Sequence, residues 1–207
     1  MTRWLLVRHG ETEWNRDGKA QGHADIQLSD VGRWQAKMLA EALRDVPIHV
    51  AACSDLTRAR ETARLILGER DVPLEITPDL REVAYGAWEG LTSEQARARN
   101  PDLYEKWLLW DPTFVAPDGG ESVQQVMVRV RRFVKRTEYL GDDQTLVVVS
   151  HGGTIRILTL ALMELPLKTF SQFVLDLASI SIIDVFPQRS VLSLWNDTSH
   201  YQGKHEG

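Results

Sequence analysis

Leu5-Leu6-Val7-Arg8-His9-Gly10-Glu11-Thr12-Glu13-Trp14-Asn15 decides how the rest of the chain is read. The apolar run from Trp4 to Val7 has the composition of a strand buried on both faces, and it stops at a cation, an imidazole and a glycine. Open α/β sheets bind ligands at the carboxyl ends of their strands. There a rigid element holds the side chain and a glycine lets the backbone turn closely. A histidine so placed beside an arginine reads as a phosphoryl acceptor with a phosphate clamp. The pattern returns far downstream in Leu146-Val147-Val148-Val149-Ser150-His151-Gly152-Gly153, again an apolar run followed by His-Gly. One such histidine is ordinarily a surface or capping residue; two at predicted strand ends point to a shared site.

Outward from these strands, the hydrophobic pattern alternates between helix and strand. Glu13 to Gln27 reads as a polar loop. Ser29 caps a helix to about Arg44, with Val31, Trp34, Met38, Leu39 and Ala42 at helical spacing. Pro47 breaks it, Ile48 to Cys53 supply a strand, and Ser54 or Asp55 caps a helix through Leu67 that Gly68 ends. Leu74 to Ile76 form a third strand. Thr92 with Gln95 makes a capping box for a helix that Pro101 closes. A short helix over Asp102 to Trp110, a loop from Asp111 to Gly120 and a helix from Ser122 to Tyr139 follow, and then the strand Thr145 to Val149. A helix spans Gly152 to Met163. Phe173 to Leu177, Ser181 to Phe186 and Val191 to Trp195 read as late strands, the last two joined by a turn at Pro187 to Ser190. The alternation predicts an α/β fold: three layers, with a doubly wound, mainly parallel sheet flanked by helices. A single domain over residues 1–207 is expected, with a lid-like helical insertion at about 88–120 and a mobile tail from about His200.

Composition removes several classes. The formal charge of −5 comes with no basic block, which argues against a nucleic-acid binder, so any anion site must be a local gathering of Arg and His. The lone cysteine, Cys53, forms no internal disulfide and reads as a small buried hydrophobe. No leader-like series precedes Arg3 and no apolar run reaches the length of a membrane span, so a cytoplasmic protein without membrane partners is expected. No histidine spacing forms a metal-ligand pattern.

The chain resembles the histidine phosphatase superfamily, in the branch that contains phosphoglycerate mutase and its phosphatase relatives. The resemblance rests on Val7-Arg8-His9-Gly10-Glu11-Thr12 with Asn15, Gln21-Gly22, Leu28 to Ala36 and Ser54 to Ala63. It continues through Leu80-Arg81-Glu82, Trp88-Glu89-Gly90, Gly119-Gly120-Glu121-Ser122 and Ser150-His151-Gly152-Gly153, in the family's order along nearly the whole chain. It implies a phosphohistidine intermediate, no metal and no organic cofactor.

Phosphoryl transfer needs positioned cations, because charge spreads over three equatorial oxygens while attacking and leaving atoms lie in line. Arg8, His9, Arg58 and His151 meet that need, and an arginine's planar fork pairs two phosphate oxygens. His9 is the expected nucleophile, with its second ring nitrogen donating to a backbone carbonyl; His151 is expected to be protonated and to donate to the phosphoryl oxygens. Glu82 matches the family's acid position and is expected to protonate the leaving group. Asn15, Gln21, Gly22, Tyr85 and Gly152 are the expected substrate-binding residues, and His23 is placed near the pocket. Glu11, Glu13 and Glu89 are read as solvated carboxylates, and Arg60 and Arg64 as helix-surface charges.

Water or a second phosphorylated substrate can take the phosphoryl group, which separates phosphatases from mutases. The segment Pro101 to Gly120 sets Lys106 against Asp102, Glu105, Asp111 and Asp118, with Tyr104, Trp107, Trp110 and Phe114. Such a lid suits a neutral, cationic or partly apolar leaving group, and those aromatics also suit a small helical core. The expectation is therefore a phosphomonoesterase acting on a small phosphorylated metabolite. A phosphoglycerate mutase, with Arg97 and Arg99 as a second anion site, is the alternative, and a non-catalytic binding protein ranks behind both. A homodimer is the assembly to test.

Overall fold

The computed structural model describes residues 1–109, 111–137, 140–141 and 143–203. The expected endpoints at Trp110 and Tyr139, and His205 in the tail, lie outside the described residues. Strand β1 (Thr2–Arg8) leads into a single-turn helix, α1 (Glu13–Arg16), and then α2 (Asp30–Ala42). Next come β2 (Val50–Ser54), α3 (Thr57–Leu67) and β3 (Leu74–Thr77), followed by 3₁₀ turns at Pro78–Leu80 and Gly86–Trp88. Two short helices, α4 (Ser93–Arg99) and α5 (Pro101–Leu108), precede α6 (Val123–Arg136). β4 (Thr145–Ser150), α7 (Gly152–Leu162), β5 (Ile180–Phe186) and β6 (Arg189–Asp197) complete the described chain.

The six strands form one sheet in the order β3-β2-β4-β1-β5-β6. β1, β2, β3 and β4 run parallel, while β5 and β6 add an antiparallel edge as a hairpin turning at Pro187 and Gln188. Period-two alternation divides the buried strands between two cores. Trp4, Leu6, Leu146 and Val148 face α6 and α7, with Val130, Phe133, Ile155 and Leu158. Leu5, Val7, Val147 and Val149 face α2 and α3, with Leu39, Ala59, Ala63 and Ile66. Helices thus cover both faces, as the three-layer α/β expectation requires. Among the described residues no helix is long and apolar enough to cross a membrane.

Four expectations change. Neither Ser54 nor Asp55 caps α3: Leu56 holds the cap position and makes no side-chain cap hydrogen bond. The loop after β1 contains α1, because Thr12 and Asn15 form a reciprocal capping box: Asn15 N–H donates to Thr12 Oγ1 at 3.2 Å and Thr12 N–H to Asn15 Oδ1 at 3.1 Å. Phe173 to Leu177 is not a strand. It follows a 3₁₀ turn at Leu167–Gln172, and side chains take up its backbone groups: Arg8 at Leu175 O, Trp195 at Val174 O and Asn196 at Asp176 N. The tail is anchored as far as Tyr201, whose hydroxyl donates to Leu177 O at 2.8 Å and whose ring meets Trp34 edge-on.

Candidate active site

Pairing between β1 and β4 builds the centre of the site. The register ends with Arg8 opposite Ser150, and His9 N–H donates to Ser150 O at 3.0 Å, so His9 and His151 leave the sheet side by side. Their rings lie 5.0 Å apart, inclined at 61°, and are 3% and 0% exposed. His9 Nδ1 lies 2.7 Å from Gly10 O. A carbonyl only accepts, so Nδ1 carries the proton and Nε2 keeps its lone pair, as expected for a nucleophile.

Arg58, at the start of α3 and wholly buried, reaches the same point. Its Nη1 and Nη2 donate to Ala24 O and Gly22 O at 2.7 and 2.8 Å, and its Nε donates to His151 Nδ1 at 3.3 Å. Arg8 donates from Nη1 to Leu175 O at 2.6 Å and lies across Gly152, where a β-carbon would stand 3.3 Å from its guanidinium. Among the described residues, Arg8 Nε, His151 Nε2 and Gln21 Oε1 are buried without a protein partner.

Glu82 enters from the loop after β3. Its carboxylate accepts the N–H groups of Gly153 and Thr154, both at 3.1 Å, and so rests on the amino end of α7, where backbone donors are otherwise unpaired. Gly153 permits this approach, since a β-carbon there would stand 2.6 Å from Glu82 Oε1. These elements enclose a cavity of about 260 Å³ whose walls include Arg8, His9, Asn15, Gln21, Gly22, Arg58, Glu82, Tyr85 and Gly152. His151 is wholly buried against His9 and Arg58, with its Nε2 lacking a protein partner. Asn15 Oδ1 is occupied by Thr12, which leaves its amide donors for the cavity.

Electrostatics keep both histidines neutral. Burial, then the charges of Arg58 and Arg8, press His9 well below the ordinary 6.5. Burial, then Arg58, does the same to His151, whose Nδ1 accepts from Arg58, so Nε2 carries its proton. The expected imidazolium is therefore replaced by a neutral ring that still offers one N–H, because burial disfavours its charge and the nearby guanidinium groups oppose it further. Arg58 is lowered by burial to about 10 and remains cationic at neutral pH. Burial, then the Glu82 charge, raises Tyr85, which keeps its phenol protonated.

Other carboxylates and cations differ from the sequence reading. Glu89 is not a solvated side chain: it accepts from His23 N, Ala24 N and Tyr85 N at 2.9, 2.8 and 3.1 Å, and so ties the loop that receives Arg58 to the loop that carries Glu82. His23 donates from Nε2 to Glu82 O at 2.9 Å, behind the acid and outside the cavity wall. Arg129 and Glu121 brace the same loop, with Arg129 Nη2 donating to Glu82 O at 2.8 Å and Glu121 Oε2 accepting Ala84 N–H at 3.1 Å. Arg97 pairs with Glu105 at 2.6 Å and Arg99 donates to Ala87 O, so neither lines the cavity. Arg156, unremarked in the sequence, does line it; it falls on the Gly152 face of α7, three and four residues past the two glycines. The aromatics serve both expected roles. Trp88 stacks on Phe114 and meets Tyr104 and Trp107 in a small core, while Trp88, Tyr104 and Trp107 also line the cavity. Among the described residues, no group of three His, Cys, Asp or Glu side chains is placed to hold a metal ion.

The model of the histidine phosphatase superfamily (branch 1) matches residues 4–198. The chain belongs to that superfamily. It is 38% identical over 194 residues to an adenosylcobalamin/alpha-ribazole phosphatase of Salmonella typhimurium, covering 94% of this chain and 96% of that one. It is 34% identical over 200 residues to phosphoserine phosphatase 1 of Hydrogenobacter thermophilus, covering 97% and 94%. The crystal structure of the alpha-ribazole phosphatase from Shigella flexneri superposes with a TM-score of 0.87 at 33% identity, covering 95% of this chain and 96% of that one.

Proposed function

We propose that the protein is a metal-independent phosphomonoesterase that hydrolyses a small phosphorylated metabolite through a phosphohistidine on His9. The observation that carries this reading is the buried pair of rings 5.0 Å apart, with His9 Nδ1 tied to Gly10 O so that Nε2 is left as a nucleophile. In the first step the Nε2 lone pair forms the N–P bond, the ester P–O bond breaks, and Glu82 gives its proton to the departing alkoxide. Arg8 and Arg58 hold the equatorial oxygens, and His151 donates from Nε2 as charge builds on them. In the second step Glu82 takes a proton from water, the resulting oxygen attacks phosphorus, and the N–P bond breaks to release phosphate. Asn15, Gln21, Gly22, Tyr85 and Gly152 shape the pocket. The helices between residues 88 and 120 form a lid on the single domain.

The comparisons favour alpha-ribazole phosphate and phosphoserine as the first substrates to assay. With Arg97 and Arg99 engaged elsewhere, hydrolysis is favoured over mutase action. A chain whose one cysteine is buried and free fits a cytoplasmic setting. The test is turnover of p-nitrophenyl phosphate in excess chelator, with acid-labile phosphate trapped on the protein. Turnover and label should both vanish in His9→Ala. Undiminished turnover in that variant would remove the mechanism.

A further inference from the structure

A second cavity of about 270 Å³ adjoins the first, and the two share Tyr85, Trp107 and Arg156 in their walls. Beyond that boundary the lining is largely apolar, with Phe114 from the lid, Val123 from α6, and Leu167 and Phe170 from the turn after α7. Arg156 stands at the junction, its Nε donating to Gly152 O at 3.1 Å and its guanidinium 5.1 Å from the centre of the Phe170 ring. The polar part of the wall sets Asp111 and Glu121 against Arg156, and Glu121 is itself paired with Arg129 at 3.0 Å. Asp111 is held below the usual carboxylate range by the backbone N–H and then the hydroxyl of Thr113. Burial opposes the charge on Glu121, but bonds from His23 and Arg129 outweigh it and bring the group to about 2.

We propose that this second cavity is a leaving-group subsite for phosphate esters that carry a neutral aromatic ring several bonds away from phosphorus. The inference rests on the phosphomonoesterase reading above. A ring bonded directly to the ester oxygen stays in the first cavity beside Glu82; a spacer is needed to bring it past Tyr85 and Trp107. Once there it meets aromatic walls able to take it edge-on or stacked, and together the two cavities fall within the several-hundred-Å³ range of small-molecule sites.

The test compares kcat/KM for propyl phosphate and 3-phenylpropyl phosphate, whose alkoxides are of near-equal basicity, so that the difference reads the ring alone. The ring should raise kcat/KM by roughly tenfold or more. Leu167→Trp, which fills the cavity, and Phe170→Leu, which widens it, should both bring the ratio toward one. Because both substrates are measured on one preparation, partial misfolding lowers both rates and leaves the ratio unchanged. A wild-type ratio within about twofold of one, or a ratio unaltered in both variants, overturns the subsite. Failure to turn over either propyl phosphate or p-nitrophenyl phosphate would instead strike the phosphomonoesterase reading, so the two failures are distinct.

Discussion

Arg58→Met keeps most of the side chain's volume while deleting a guanidinium that is wholly buried. Of its five N–H donors, three are committed: Nε to His151 Nδ1, Nη1 to Ala24 O and Nη2 to Gly22 O. One hydrogen on each terminal nitrogen remains, which suits a bidentate grip on phosphoryl oxygens. At about 1.5–3 kcal/mol for a hydrogen bond to a charged group, losing two weakens transition-state binding by about 3–6 kcal/mol. That is roughly 10²–10⁴-fold in kcat/KM. The grip exists in the ground state and tightens in the transition state as charge builds on the oxygens, so KM and the inhibition constant for inorganic phosphate should rise while kcat falls. A second signature follows from the charge that Arg58 places beside the two rings. Arg58 is the largest charge depressing both histidines, so its removal raises them. His9 must be unprotonated to attack, and activity is lost as pH falls through its pKa; the acid limb of kcat/KM in Arg58→Met should therefore move to higher pH. Steady-state kinetics on p-nitrophenyl phosphate, phosphate inhibition and a pH profile read all three. Thermal unfolding must be recorded beside them, because the Gly22 and Ala24 carbonyls lose a donor at a cost of about 1–3 kcal/mol each. A fall of less than tenfold with unchanged phosphate inhibition, in protein shown to be folded, would refute the clamp.

Glu82→Gln should slow esters of poor leaving groups by at least roughly 10²-fold while sparing p-nitrophenyl phosphate, whose phenolate needs little protonation; equal losses on both would contradict the acid role. Gly153→Ala places a β-carbon 2.6 Å from Glu82 Oε1 and should reproduce that selective loss in milder form by displacing the carboxylate, which matched kinetics on the same two esters would detect. The folded pKa values of His9 and His151 lie below the ordinary 6.5, so the unfolded chain binds more protons as pH falls. Their contribution to stability is complete above 6.5 and drains away below it, and the urea midpoint should be lower at about pH 5.5 than at about pH 7.5. A midpoint that stays flat or rises on acidification would contradict the neutral, buried pair.

Features that depend on nearest neighbours along the chain were legible before any coordinates. Apolar runs ending at Val7 and Val149 named the two central strands, and Ser29, Thr92 with Gln95, and Ser122 marked helix starts where a side chain accepts an orphan N–H. The reading of Phe173 to Leu177 failed for the same reason that it looked safe. Its residues favour a strand, but the backbone partners arrive as Arg8, Trp195 and Asn196 side chains, none adjacent in sequence. Glu89 looked like any solvated acid; its three N–H donors come from residues 23, 24 and 85. Arg156 had a detectable signal, its helical spacing from Gly152 and Gly153, but nothing in that spacing tells a pocket wall from solvent.

The sequence by itself determined the chemistry on offer: two His-Gly turns at strand ends, guanidinium groups at Arg8 and Arg58, a carboxyl at Glu82, and alternating elements that only a layered sheet can bury together. Tertiary structure alone decided the protonation and the surroundings of that chemistry. The register of β1 against β4 sets the rings 5.0 Å apart, burial and two cations make them neutral, and Trp107 and Phe114 wall a second cavity beside the first. The physical reason is that desolvation and Coulomb interaction depend on distance in space, and residues 9, 58, 82 and 151 become neighbours only when the strands pair.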